Sequence, residues 1–471
     1  EVVTQYEMKA IQEIGLLKMD FLGLRTLTVI DDACKIIKRT RGIDLDIDAV
    51  PLDDENTYRM LQEGNSVGVF QLESTGMRAL MREIKPASIE DLIDLIALYR
   101  PGPIGSGMLR DYVDRKHGRK PIEYPDPSLE PILEGTYGVI IYQEQVMRIA
   151  SEMAGFSMAD ADILRWEMSK KMAKVLAELK EKFISGAVSR GNSAAAAEKV
   201  FELIHYFSGY GFNKSHSAAY AYVSYQTAYL KANYPVEFMA ALLTSVKGNK
   251  DKVARYVNEC RRMGIEVLPP DVNESYADFT VVGDSIRFGL SAVRNVGEGA
   301  IEAIIEERTR GGRFKSIFDF CRRVDLSLLN KRLIESLIKG GAFDSLGVTR
   351  RALSLIYESA VDYGIRKQKD AAAGVLSLFE DPDNGGVEPD WDVDNFEEWQ
   401  RMELLAFEKE MLGLYVTDHP LLEVEEMLKE KTEYSMAELV EQKDGTSAWV
   451  GGIVSRVTRV TTKRGEPMAR I

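Results

Sequence analysis

The stretch that decides the fold is GYGFNKSHSAAYAYVSYQTAYLKANYP, residues 209–235. The glycines at its start permit a tight turn. Ser215 or Ser217 can cap a helix that runs from about 218 to 232 and ends at Tyr234-Pro235. The spacing therefore predicts a tyrosine-rich helix behind a glycine turn.

The start of this helix carries Lys214 and His216. A helix N-terminus presents unpaired N–H groups and a partial positive charge. Two cationic side chains beside it favour an anion, most naturally a phosphate. An ordinary capped core helix whose lysine reaches solvent is the alternative interpretation.

Length and composition bound the class of protein. A chain of 471 residues exceeds a single core, so about two to four domains are expected. No stretch approaches the run of about 18 apolar residues that a membrane helix needs, and the start shows no signal-peptide pattern. The isolated Cys34, Cys260 and Cys321 indicate a reducing cytoplasm and argue against a disulfide framework or a zinc site.

Net charge is −14, but its distribution matters more than its sum. Residues 380–443 carry 20 acidic and 5 basic side chains, which accounts for the whole excess. Residues 292–351 carry 12 basic and 8 acidic side chains. The acidic total therefore does not exclude a nucleic-acid partner.

The segment LLKMDFLGLRTL, residues 16–27, carries one acid in an apolar run. On a strand, Lys18 and Asp20 would share a face. A strand-borne carboxylate is one part of a two-metal phosphoryl-transfer site, whose ions lie about 4 Å apart. An aspartate that caps a helix or pairs with a cation is the alternative.

Two further stretches present basic groups. LYRPGPIGSG, residues 98–107, predicts a stiff loop that displays Arg100. DADILRWEMSKK, residues 160–171, predicts a helix with a face suited to phosphates. That face carries Arg165, Lys170 and Lys171. An exposed basic face without a ligand is the alternative.

The stretch AVRNVGEGAIEAIIEERTRGGRF, residues 292–314, places Gly297 and Gly299 in a short turn. Such a turn exposes backbone N–H groups to a DNA phosphate at a helix start. A weaker second unit lies in residues 328–347. Basic residues follow the glycines, among them Arg308 and Arg310. A plain helical hairpin is the alternative.

Three features mark the organisation of the second half. Pro269-Pro270 indicates a boundary before a β-like piece, and residues 380–395 read as a polar linker. Leu378-Phe379 in GVLSLFED, residues 374–381, is typical of a peptide that docks in a partner's pocket, although it could pack on its own domain. The end, residues 448–471, predicts a hairpin turning at KRGEP. We expect both ends of the chain to continue into further sequence.

The order of these motifs is more specific than any one of them. TQYEMKAIQEIGLLKMDFLGLRTL, FQLESTGM, LYRPGP, YGVIIYQEQVM, the 209–235 stretch and the glycine hairpin occur in this sequence in that order. Together they resemble the bacterial C-family of replicative DNA polymerases, over essentially the whole chain.

The resemblance implies a mostly α, multidomain fold with small β elements. Its parts would be the end of a palm domain (1–50), helical fingers (51–267), a tandem helix-hairpin-helix clamp-binding domain (268–385), an acidic helical connector (386–446) and the first strands of an OB-fold (447–471).

The resemblance also implies roles for the residues singled out above. Asp20 would be the last of three palm aspartates that hold two Mg²⁺ ions, with Lys18 beside it. Val375 stands where the clamp motif usually has glutamine. The fingers would bind the incoming triphosphate through Lys214, His216, Arg100, Arg165, Lys170 and Lys171. The hairpin would hold DNA through Gly297, Gly299, Arg308 and Arg310, and Leu378 and Phe379 would reach the clamp.

The function implied is that of a cytoplasmic DNA-directed DNA polymerase in chromosome replication. Its partners would be primed template DNA, deoxynucleoside triphosphates, a sliding clamp and other replicase subunits, with no membrane. The family's first two palm aspartates lie upstream, so we expect this chain alone not to polymerise. A translesion paralogue and a non-catalytic DNA-binding, clamp-tethering protein are the alternatives.

Overall fold

The structure, a computed structural model, describes residues 3–19, 21–170, 173–208, 211–373, 396–421, 424–434, 439, 445–454, 457–462 and 465–470. The chain divides into two compact units, Glu1–Ser245 and Val246–Ile471. Each unit has its own core. The expected fold class, mostly α with small β elements, is confirmed.

The first unit is built from helices. In chain order they are α1 Met8–Glu13, α2 Arg25–Arg41, α3 Glu55–Gln62, α4 Thr75–Ile84, α5 Ile89–Leu98, α6 Pro101–Gly105, α7 Met108–Lys116, α8 Glu130–Leu133, α9 Gln143–Ala154, α10 Met158–Lys170, α11 Ala173–Ser189, α12 Ala194–Ser208, α13 Lys214–Asn233 and α14 Pro235–Ser245.

The tyrosine-rich helix α13 lies against the core of this unit and packs on α5 and α3. Its buried face is rich in small residues, among them Ser217, Ala221, Ser224 and Ala228. Small side chains let α13 approach α5, which is buried on nearly every face. Among the tyrosines, Tyr225 is fully buried and packs on Tyr58 of α3, with ring centroids 5.6 Å apart, whereas Tyr222 is exposed.

The second unit combines helices with two small sheets. Its elements are α15 Lys250–Arg262, β1 Val267–Leu268, β2 Thr280–Val282, β3 Ser285–Arg287, α16 Glu298–Gly311, α17 Ile317–Arg323, α18 Lys331–Lys339, α19 Arg350–Ala372, α20 Arg401–Leu412, α21 Glu425–Lys431, β4 Thr458–Thr461 and β5 Pro467–Arg470.

The first sheet has the order β1-β3-β2, with β3 parallel to β1 and antiparallel to β2. It confirms the β-like piece expected after Pro269-Pro270. Strands β4 and β5 form an antiparallel hairpin in which Val460 faces Met468. The hairpin is confirmed, and its assignment to an OB-fold stays a prediction. No helix in the described part of the chain is both long and apolar enough to cross a membrane.

Candidate functional site

Helix α13 begins four residues earlier than the sequence predicts. Its N-cap is Asn213, whose Oδ1 accepts a hydrogen bond of 2.8 Å from the His216 N–H. The prediction of Ser215 or Ser217 as the cap was wrong. Ser217 is instead buried inside the helix, and its hydroxyl donates to the carbonyl of Ile93 on α5. Asparagine is as good an N-cap as serine. Asn213, which is closer to the glycine turn than either serine, therefore caps the helix.

The loop before α13 is held by the segment that leads into α9. The Gln143 N–H donates to the Phe212 carbonyl at 2.9 Å, and the Phe212 N–H donates to the Ile141 carbonyl at 3.1 Å. The Gln143 side-chain amide also donates to the Gly211 carbonyl at 3.2 Å. These bonds make an isolated parallel bridge between Tyr142 and Phe212. The bridge fixes where the first residues of α13 lie.

Lys214 is exposed at this point, with its Nζ 5.3 Å from the centre of the Tyr142 ring. Its backbone N–H already donates hydrogen bonds of 3.0 Å to both carboxylate oxygens of Glu144. Glu144 also accepts from the Asn213 amide at 3.1 Å. A carboxylate therefore already occupies part of the helix N-terminus at which the sequence predicts a phosphate.

His216 and Arg100 meet at one aromatic ring. The His216 ring lies 4.3 Å from Tyr220 and 5.5 Å from Phe212, between centroids. The Arg100 guanidinium lies 4.4 Å from the centre of the same Phe212 ring, a cation–π contact. Partial burial lowers the pKa of Arg100, yet a guanidinium remains charged at neutral pH. The two side chains therefore both contact the Phe212 ring of the loop.

The stretch that displays Arg100 differs from the predicted loop. Pro101 opens the short helix α6, with Arg100 at its N-cap position. Proline fits the first turn of a helix because its φ is preset and its missing N–H would have no partner there. The stiffness that the sequence predicts is therefore supplied by a helix.

Arg165 approaches the same loop from α10, whose helical state the sequence predicts correctly. Its guanidinium donates to the Gln143 Oε1 at 3.5 Å and pairs with Asp162 at 2.8 Å. Lys171 and the side chain of Lys170 lie outside the described residues. Of the predicted phosphate ligands that the structure describes, four gather around one loop: Arg100, Arg165, Lys214 and His216.

A buried acid beneath this loop was missed by the sequence analysis. Asp94 on α5 is 5% exposed and accepts hydrogen bonds from two phenols. The Tyr112 hydroxyl donates at 2.8 Å, and the Tyr142 hydroxyl donates to the other carboxylate oxygen. Burial raises the pKa of Asp94 to about 6, against the opposing effect of both phenols. The signal in the sequence that could have identified Asp94 is an acidic residue inside the apolar run LIDLIAL, residues 92–98.

The glycine hairpin of the second unit opens helix α16. Gly297 is the N-cap, with φ −91° and ψ 159°, and no atom lies within 4 Å of where a Cβ would stand on Gly297 or Gly299. The residue of this turn that has a positive φ is instead Asn295, at 64°. Its side-chain amide donates to the Ser336 hydroxyl on α18 at 2.9 Å. Asn295, which the sequence analysis missed, thus ties the first hairpin to the second.

The two predicted DNA-binding arginines after the hairpin differ in their burial and in their partners. Arg308 is about half-buried, donates to the Val272 carbonyl at 2.9 Å and stacks on Tyr276. Arg310 is exposed and pairs with Glu307 one turn earlier. The geometry gives Arg308 a structural role and leaves Arg310 the more accessible, while their contact with DNA stays a prediction.

The remaining predicted residues form no assembled site in the described part of the chain. Lys18 is exposed, and residues 16–19 are not a strand, since no described strand pairs with them. Asp20, Leu378 and Phe379 lie outside the described residues. No group of three or more His, Cys, Asp or Glu side chains that could hold a metal occurs among the described residues, so these residues do not by themselves fit a two-metal centre.

Comparisons with known proteins identify the class of both regions. Residues 26–191 match the bacterial DNA polymerase III alpha subunit finger domain. Residues 264–353 match a helix-hairpin-helix motif. The first match contains Arg100 and Arg165, and the second contains the hairpin glycines.

The chain belongs to the DNA polymerase III alpha-subunit family. It is 46% identical over 99% of its length to DNA polymerase III subunit alpha of Mycobacterium tuberculosis. Identity is 45% over 99% of the chain for the Thermus aquaticus protein, and 44% over 98% for that of Escherichia coli. The chain spans 40%, 38% and 41% of these three relatives.

Proposed function

We propose that the protein is a DNA-directed DNA polymerase of bacterial chromosome replication, and that this chain supplies its nucleotide-binding and duplex-binding parts. The observation that carries the proposal is the gathering of Arg100, Arg165, Lys214 and His216 around the loop at 211–213. These side chains come from three separate stretches of sequence. The family relationship supports the same assignment.

A triphosphate suits this arrangement on electrostatic grounds. It carries several negative charges at neutral pH, and cations positioned around it neutralise charge and orient the phosphates for in-line attack. Arg100 and Arg165 offer guanidinium forks, which bind phosphate oxygens in pairs. Lys214 supplies a compact charge, and His216 supplies a ring N–H beside Tyr220. At the start of α13 such a ligand meets the Glu144 carboxylate, and it competes with Asp162 for Arg165.

The proposal includes two Mg²⁺ ions in the intact protein, with Asp20 among their ligands and Lys18 beside it. Bound metal ions would activate the primer hydroxyl and stabilise the leaving group. Asp20 lies outside the described part of the chain. The support for this part of the proposal is therefore the family relationship.

The glycine hairpin at 297–299 is proposed to hold duplex DNA through its backbone. Open space around both glycines lets a phosphate approach the N–H groups that begin α16. Contacts of this kind fix position on the duplex without reading its sequence.

Binding of the chain to a primed DNA duplex across a salt series tests this role. Gly297→Val with Gly299→Val adds side chains where no atom obstructs them, so the fold tolerates the change while a phosphate is kept away. We expect affinity of the unchanged chain to fall steeply with salt and the double variant to bind at least about tenfold more weakly. Gly248→Val, also at an open turn position, is the control. Equal binding by both variants would refute the hairpin's role.

Clamp binding through Leu378 and Phe379, assembly with other replicase subunits and a cytoplasmic location complete the proposal. The position of these two residues in an acidic, polar stretch of sequence supports the clamp contact, since a Leu-Phe pair in such a stretch is typical of a docking peptide. Loss of clamp capture on changing both residues to alanine would support this part, and unchanged capture would refute it.

A further inference from the structure

The buried Asp94 lies where three elements of the site meet. It belongs to α5, and its two hydrogen-bond donors are Tyr112 on α7 and Tyr142 in the segment before α9. The cost of burying a carboxylate is large unless donors satisfy its oxygens, and here each oxygen receives one phenol. The cluster is therefore fully hydrogen-bonded, although it contains no cation.

Two contacts connect this cluster to the start of α13. The Tyr142 ring, whose hydroxyl is held by Asp94, lies 5.3 Å from the Lys214 Nζ. The Ser217 hydroxyl donates to the carbonyl of Ile93, the residue before Asp94. Tyr142 also forms the bridge with Phe212 that fixes the loop. Any rotation of the Tyr142 ring would thus move the surface on which the Lys214 side chain lies.

We propose that Asp94 is a positioning residue for nucleotide binding, acting through the Tyr142 ring on Lys214. The proposal rests on the proposed function, since it takes Lys214 to be a triphosphate ligand. An ionised Asp94 fixes the phenol proton and hence the ring, and its charge beneath the ring adds to the attraction for the ammonium group above it. Burial raises the pKa of Asp94, and the nearby Lys214 ammonium opposes that rise.

A purely structural role for Asp94 is the competing interpretation. A buried hydrogen-bonded cluster stabilises the core whatever lies above it. The two roles differ in one respect. A structural residue affects nucleotide affinity to the same extent whether or not Lys214 is present, whereas a residue that acts through Lys214 loses its effect when Lys214 is removed.

The test is a double-mutant cycle on the 471-residue chain, read by fluorescence anisotropy with a base-labelled deoxyadenosine triphosphate and Mg²⁺. Asp94→Asn keeps the shape of the side chain and removes its charge, and Lys214→Met removes the cation. We expect D94N alone to weaken binding about tenfold, the factor that corresponds to loss of one buried charge-assisted hydrogen bond. In the K214M background, D94N should change affinity less than about twofold.

Asp91→Asn is the matched structural control. Asp91 lies one turn earlier on the same helix, is 7% exposed, and contacts Lys116 and the Ala87 N–H rather than the loop. D91N should leave nucleotide affinity unchanged. If D94N fails to fold, Tyr142→Phe replaces it in the cycle, because it keeps the ring and removes only the hydroxyl.

The outcomes separate this proposal from the proposed function. An equal loss from D94N with and without Lys214, or an equal loss in D91N, would assign Asp94 a structural role only. If K214M weakens nucleotide binding and D94N leaves it unchanged, the positioning role is overturned. The proposed function stays intact in that case. A wild-type chain that binds no nucleotide would overturn both.

Discussion

At the residue scale, the start of α13 shows how a sequence motif for a phosphate site can be partly filled by the protein itself. Lys214 and His216 are exposed, but Glu144 accepts the Lys214 N–H. Glu144 lies 70 residues earlier in the chain, so no local pattern could place it there. Phosphate binding at the proposed site would therefore depend on side-chain cations more than on the helix N-terminus.

Glu144→Gln should strengthen triphosphate binding. The amide oxygen of glutamine still accepts the Lys214 N–H, so the cap is kept, while the negative charge that repels a phosphate is removed. We expect affinity to rise about fivefold, the equivalent of a surface charge interaction of about 1 kcal/mol. Anisotropy with the labelled nucleotide measures it.

Glu152→Gln provides the control for this prediction. Glu152 is on the same helix and pairs at the surface with Arg148 at 2.9 Å, so its change should leave affinity as it was. Weaker binding in E144Q would mean that Glu144 organises the site and does not compete with the ligand.

At the element scale, the sequence predicts the existence of α13 and its C-terminal end more accurately than its beginning. The end is set by Tyr234-Pro235, which local chemistry fixes. The beginning depends on the bridge to residues 141–143, a contact between distant segments. For the same reason residues 16–19 carry a strand-like pattern without forming a strand, because a strand requires a hydrogen-bonded neighbour.

Lys231 holds the last turn of α13 to the loop after α3. It is 2% exposed, and its Nζ donates to the carbonyls of Asn65 and Val67 at 2.7 and 2.8 Å. Lys231→Met keeps the stem and leaves both carbonyls without this donor. We expect the free energy of unfolding to fall by about 2–3 kcal/mol, measured by urea denaturation.

Lys35→Met is the matched control for that measurement. Lys35 is exposed and pairs with Asp31 one turn away, and an exposed pair of this kind contributes little to stability. Similar unfolding midpoints for the two variants would show that the buried lysine adds no net stability to α13.

At the scale of the whole molecule, the fold class and the family follow from the sequence, and the interior of the site does not. Asp94 and Asn295 were missed because one depends on tyrosines from two other elements and the other on a single positive φ. The predicted domain boundaries stay predictions. Lys170, Lys171, Leu378 and Phe379 also remain expectations from the resemblance.

The two compact units predict a separable division of labour. The four described cations of the proposed phosphate site lie in residues 1–245, and the hairpin glycines lie in residues 246–471. Expressed separately, the first piece should bind the labelled nucleotide and the second should bind duplex DNA, each about as tightly as the 471-residue chain. A folded first piece without nucleotide binding would contradict this division.

The bridge between residues 141–143 and 211–213 has a kinetic consequence. Two backbone hydrogen bonds hold this bridge. The free energy needed to open so small a contact locally is well below the free energy of global unfolding. Where every opening leads to exchange, the deuterium exchange rate of the Phe212 and Gln143 amide protons therefore equals the rate at which the loop leaves its place. That opening rate sets an upper bound on any exchange of ligand that requires the loop to move, and it is measurable before a nucleotide is ever added.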